Sequence, residues 1–152
     1  GDPYFHEMKG QMLYENGRIP GAIESYNKAA ELLPEAPYIR RDLARAQIDS
    51  GDPSYLKHAI ANLEVALAIN SRSARNWRFL AIAHGRIGDL PKSYLALGEE
   101  ALLLGKPDEA RFQANRAKKA FARGGREWLQ AEDILVAADA MDPVLERYQK
   151  NK

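Results

Sequence analysis

A small residue followed seven positions later by glycine recurs four times in this chain, as Gly10/Gly17, Ala44/Gly51, Ala81/Gly88 and Gly98/Gly105. Successive pairs begin 34, 37 and 17 residues apart, and the last interval is half of the first. A small residue within a helical segment lets a second helix approach closely. Units of this length each present an apolar stripe that only a neighbouring unit can bury, so the spacing demands a stacked array.

Apolar residues recur at helical spacing almost throughout, and no sustained alternation of β-branched and aromatic residues predicts a strand. Gly, Pro, Asp and Asn mark the breaks. The pattern predicts helices over 3–15, 19–33, 37–50, 54–69, 74–87, 90–104, 107–122 and 126–140, with a short tail helix near 143–149. Counted from Pro3, Gly10 stands at repeat position 8, Leu13 at 11, Gly17 at 15, Ala22 at 20, Tyr26 at 24, Ala29 at 27 and Pro34 at 32. This resembles the tetratricopeptide (TPR) repeat residue for residue. In such a hairpin Gly10 and Ala22 permit close approach, Tyr26 fills the space they leave, and Pro34 stops the second helix.

The second repeat starts at Pro37 and carries Leu43, Ala44 and Gly51 in register. Three extra residues near Asp52–Tyr55 then precede Ala59, Leu63 and Ala66, which lengthens a loop or a helix start. The third starts at Ala74, with Trp77, Leu80, Ala81 and Gly88 in place. Residues 91–104 then carry a first-helix pattern of their own in Tyr94, Leu97, Gly98 and Gly105, answered by Ala110, Ala114 and Ala117. That segment is second by order and first by pattern, with small residues on two faces. The expected fold is all-α: a right-handed TPR-like solenoid of about eight helices plus a short C-terminal one. It forms a single domain over 1–152, with repeats near 3–36, 37–73, 74–104 and an overlapping 91–124, capped by helices over 126–149. Gly10, Gly17, Ala22, Ala44, Ala81, Gly98, Gly105 and Ala110 are the expected repeat-packing residues.

Composition narrows the function classes. The 152 residues are 45% hydrophobic and 28% charged, which suits a globular chain, and the net charge of +1 gives no global field for nucleic acid. With no cysteine there is neither a disulfide nor a thiolate metal site. Apolar runs such as Val65–Ile69 fall far short of the roughly 18 residues that span a bilayer. The chain begins at Gly1 without methionine and reads as an excised domain or processed product.

Catalytic patterns fail one by one. His6-Glu7 starts a zinc-peptidase pattern, but the second histidine position is Gly10. His6, His58 and His84 are too far apart in sequence for ligand spacing, so no metal or cofactor is expected in this chain. Gly105-Lys106 lacks the upstream glycine and the following Ser or Thr of a phosphate loop. No nucleophile elbow is present. The adjacent carboxylates Glu99-Glu100 and Glu132-Asp133 diverge around a helix rather than converge on one substrate.

Binding is the remaining class. Positions 2, 5, 9, 12 and 13 of each TPR first helix usually line a concave groove. Here they are Tyr4, Glu7, Gln11, Tyr14 and Glu15 in the first repeat, Tyr38, Arg41, Arg45, Ile48 and Asp49 in the second, and Arg75, Arg78, Ile82, Gly85 and Arg86 in the third; of these Tyr4, Tyr14, Tyr38, Arg41, Arg45, Arg75, Arg78, Ile82 and Arg86 are the candidate binding residues. An arginine-rich groove with aromatic spots suits an acidic or carboxylate-bearing peptide. The carboxylate-clamp asparagine is replaced by Gln11, Arg45 and Ile82, which argues against chaperone-tail recognition of that type. A second basic cluster, Lys106, Arg111, Arg116, Lys118, Lys119, Arg123 and Arg126, reads as a solvated helix face.

The strings PYFHEMKGQMLYENGRIPGAIESYNKAAELLPEAPYIR and NWRFLAIAHGRIGDLPKSYLALGEEALLLGKPDEARFQANRAKKA resemble the C-terminal TPR region of BepA-like bacterial periplasmic zinc metallopeptidases. The likeness includes the insertion after Gly51 and the half-repeat slip at Gly98. It implies a periplasmic, non-catalytic domain that docks a protease domain or binds client proteins in outer-membrane protein quality control. Zinc and HExxH would lie in that other domain. A free-standing TPR adaptor or assembly factor is the alternative, and an enzyme in its own right a third reading. Neither the oligomeric state nor the partner follows from the sequence.

Overall fold

The computed structural model describes residues 1–151, apart from the side chain of Leu145. Eight helices follow one another among these residues: α1 (Pro3–Glu15), α2 (Ile19–Leu32), α3 (Pro37–Asp49), α4 (Leu56–Ile69), α5 (Ala74–Arg86), α6 (Leu90–Leu103), α7 (Pro107–Lys118) and α8 (Arg126–Lys150). Each packs antiparallel on its successor, and α6 also packs on α8. No described helix is long and apolar enough to cross a membrane.

The local chemistry of each helix start is repetitive. Proline occupies the first or second position of α1, α2, α3, α6 and α7, where its missing N–H costs no helical bond. Asp2, Ser73 and Asp89 cap their helices by accepting the N–H groups of Tyr4, Asn76 and Lys92 at 2.9, 3.2 and 3.2 Å.

The two members of each small-residue/glycine pair do different work. The second member ends a helix: Gly17, Gly51, Gly88 and Gly105 have φ of 75, 73, 91 and 70°. Gly17 N–H reaches the Tyr14 carbonyl at 3.0 Å and Arg18 N–H the Leu13 carbonyl at 2.8 Å, and the same double bond closes the turns at Gly88 and Gly105. A Cβ on Gly17 or Gly105 would meet nothing within 4 Å. These two glycines, expected as packing residues, are instead required for their left-handed backbone. Ala22, Ala44, Ala81 and Ala110 are buried as expected.

The first member sets the distance between helices. A Cβ on Gly10 would stand 2.8 Å from two ring carbons of Tyr26, which is fully buried. Gly98 faces α8 in the same manner, 3.1 Å from Ile134 Cδ1. Ala96, two residues earlier, belongs to the core shared by α3, α4 and α5. The small residues on α6 thus serve neighbours on both sides.

The insertion after Gly51 folds as a 3₁₀ turn, Pro53–Tyr55, running directly into α4. Here the turn closes differently. Ser50 Oγ donates to the Gln47 carbonyl at 2.7 Å and accepts Asp52 N–H at 3.1 Å. The serine hydroxyl bridges the two groups that bond directly in the other turns.

Two boundaries depart from expectation. α7 stops at Lys118 rather than near 122, because Ala120 N–H turns to the Ala117 carbonyl and the chain reverses through Gly124 at φ 82°. α8 runs unbroken through Pro143, where two helices were expected. Arg111 holds that region to α7, with Nη1 3.1 Å from Asp139 and 3.0 Å from Asp142 and Nη2 on Asp108. Lys118 pairs with Glu132 and lies 4.9 Å from the Trp128 ring centroid, and the Arg116 guanidinium stacks 3.8 Å from the Tyr94 ring centroid. Three members of the presumed solvated basic face therefore join helices to one another.

Gly10→Leu and Ala81→Leu should each force helices apart, lowering stability by about 1–3 kcal/mol through overpacking. Thermal unfolding unchanged in both would overturn the assigned register.

Candidate binding face

The first helices α1, α3 and α5 are linked by polar contacts, and α3 and α5 also share the central apolar core. The Tyr14 hydroxyl of α1 donates to Asp49 on α3. The Arg45 guanidinium on α3 lies 4.3 Å from the Tyr14 ring centroid. Arg86 of α5 donates to the Ile48 carbonyl at the end of α3, at 3.1 Å. The nine candidate residues all lie on these three helices, in unequal roles.

Tyr4, Tyr38, Arg75 and Arg78 are exposed. Tyr4 and Tyr38 flank a recess closed by Leu33–Ala36. Arg75 has no partner among the described residues. Arg78 lies 3.4 Å from Glu100 while keeping most of its side chain in solvent. Arg41 and Arg45 are half-buried and share the Asp42 carboxylate at 3.4 and 3.8 Å. Ile82 is half-buried against the central core. Tyr14 and Arg86 are spent on holding the row together. The exposed cationic and aromatic surface is therefore smaller than the sequence suggested: Tyr4, Tyr38 and the unpaired Arg75, with Arg78 exposed but paired to Glu100.

Tyr26 lies behind this row. Burial, reinforced by the negative charge of Asp42, pushes its hydroxyl up to about 12, so it stays protonated at physiological pH. Burial also raises the pKa of Tyr14, and its bond to Asp49 acts in the same direction.

A cleft of about 430 Å³ lies between α4, α5, α6 and the start of α8. Leu67, Trp77, Leu80 and Leu95 line it, with Lys92 and Arg126 among its polar walls. Trp77 is fixed by its indole N–H, which donates to the Ser71 carbonyl at 2.8 Å. Sequence reasoning did not find this cleft, since its walls come from segments some sixty residues apart and no local motif links them.

His84 lies in that cleft, and burial pushes its pKa below the usual 6.5; Asp89 and Glu64 oppose the shift and Lys92 reinforces it. Folding therefore favours the neutral imidazole. That contribution is complete above pH 6.5 and is lost as the pH falls below it, where the unfolded chain takes up the proton first. The urea midpoint should drop on acidification through this range, and His84→Gln should flatten the drop. An unchanged slope in the variant would assign the effect to other groups.

No curated protein matches the chain in sequence. Residues 10–51 match the family model described as TPR repeat. A crystal structure of MamA is similar over 97% of this chain and 82% of its own, with a TM-score of 0.64 at 17% identity. A second, of the MamA protein, covers 95% and 88% with a TM-score of 0.62 at 19% identity. The repeat match in the first hairpins, with the stacking that continues through α8, makes this an all-α TPR solenoid.

Proposed function

We propose that this domain is a non-catalytic protein-binding module whose row of first helices receives an acidic or carboxylate-bearing segment of another polypeptide. One observation carries the reading: Arg75 and Arg78 on α5, like Tyr38 on α3 and Tyr4 on α1, remain largely in solvent, while other polar groups of the row are occupied in holding the helices in place. Guanidinium groups on a rigid scaffold bind carboxylates with little ordering cost, and exposed tyrosines add contact area.

The finer reading places the module beside a zinc peptidase domain in the bacterial cell envelope, where it docks that domain or presents clients to it. Its support is the resemblance of the two long strings, including the insertion and the half-repeat slip. The catalytic zinc would belong to the neighbouring domain. A reading frame that carries no HExxH upstream of residue 1 would overturn this placement and leave the free-standing adaptor. The adaptor has its own support in the superposed MamA chains, of which this fold accounts for 82% and 88%.

The groove is tested at its solvent-facing residues, because reversing Arg41 or Arg45 would strand Asp42 and disturb Tyr14. Arg75→Glu, which breaks no pair, should weaken binding of a polyglutamate-containing peptide by about tenfold, or 1.4 kcal/mol, and reduce its salt dependence. Unaltered affinity and salt dependence would move the partner to another surface.

A further inference from the structure

A polar cleft of about 380 Å³ opens between α2, α3 and α4, and a relay of three side chains forms part of its wall. Arg40 of α3 donates from Nε to the Pro34 carbonyl at 3.0 Å and from Nη1 to Asn62 Oδ1 at 2.9 Å. Asn62 of α4 donates in turn from Nδ2 to Gln47 Oε1, back on α3, at 3.1 Å. A guanidinium can only donate, so it fixes which end of each amide accepts, and the far end of the relay is necessarily a donor. Gln47 Nε2 is that donor. The residue is only 4% exposed, and Nε2 has no partner among the described residues yet stays open to the cleft. At the near end Arg40 is half-buried, with no ion-pair partner among the described residues. The chain thus leaves one positive charge unbalanced and unused N–H groups at both ends of the relay, an arrangement that costs stability until acceptors are supplied.

We propose that this cleft binds a carboxylate borne on a short apolar body, its oxygens accepting from Arg40 and Gln47. A carboxylate carries the single negative charge that balances one guanidinium, offers only acceptors, and is planar like the group it meets. A phosphate dianion would exceed that charge, and Glu31 on the rim would repel the surplus. Ala30, Leu43 and Ala61 line another part of the cleft and receive the alkyl portion. The chemistry is the same whether the carboxylate ends a polypeptide or belongs to a free small acid. Since α5 contributes nothing to the cleft, the site is separate from the face that carries Arg75 and Arg78.

NMR titrations of the isotope-labelled protein, read at the side-chain amides of Asn62 and Gln47, test this. Butyrate and N-acetyl-trialanine with a free terminal carboxylate are the probes, and butyramide and the trialanine amide are the uncharged controls. The carboxylates should move both amide signals saturably, and the controls should not. Tighter binding of the peptide assigns a polypeptide C-terminus, and tighter binding of butyrate a free small acid. Gln47→Glu keeps the shape of the relay but replaces its terminal donor with an acceptor, and should weaken binding by at least about tenfold. Asn62→Asp supplies the missing charge from within, and should weaken binding similarly while leaving the thermal midpoint in place. Arg75→Glu should leave the affinity of both probes unaltered. No saturable shift with either carboxylate, equal shifts with the uncharged controls, or full affinity in both relay variants overturns the proposal. Loss of affinity in Arg75→Glu also overturns it and returns the carboxylate to the first-helix face.

Discussion

The distance between paired helices governs this molecule. Where Gly10 meets the Tyr26 ring, there is no room for even one more carbon. Interiors are packed closely enough that this single contact fixes how the rest of the hairpin closes. Ala44 and Ala81 occupy the same position in the next two hairpins, and Gly98 repeats the contact against Ile134. Because each hairpin is as thin as its small residues allow, the first helices come near enough to touch through Tyr14, Arg45 and Arg86. The binding face follows from that proximity and needs no loop to build it.

Charge is divided along the chain by the same geometry. Arginines on α3 lie close to a neighbouring helix and are drawn into pairs with Asp42 or onto the Tyr14 ring. Those at the outer end of α5, Arg75 and Arg78, face water. At the C-terminal end the basic residues of α7 clasp α8 through Asp139, Asp142, Glu132 and Trp128. A half-buried pair lacking one partner would leave a charge poorly solvated, so these arginines are structural even where the repeat pattern places them in the groove.

The repeat was legible in the sequence because glycine and alanine at fixed spacing report two backbone requirements that side-chain chemistry cannot disguise. The insertion and the shifted register of α6 were legible as departures from that spacing. The division of labour between Gly10 and Gly17 was not, since both are simply small. The continuity of α8 through Pro143 was hidden because proline's local preference is to stop a helix, while the grip of Arg111 on Asp139 and Asp142 depends on a residue about thirty positions away. The cleft around His84 and Trp77 was hidden for the same reason, its walls being distant in the chain. Of the candidate site, the residue identities were readable, but which arginines remain free depends on tertiary contacts.

The double role of α6 bears on how the molecule comes apart. An ideal solenoid unravels one unit at a time, since each unit leans only on the next. α6 packs on both α7 and α8, which also pack on each other, so the last three helices form a closed set of contacts at the end of an otherwise linear array. Amide protons in that set should share one opening energy, while α1 and α2 exchange through smaller, earlier openings. The half-repeat slip thereby ties the last three helices into a single cooperative unit and leaves α1, which leans chiefly on α2, at the end that opens first.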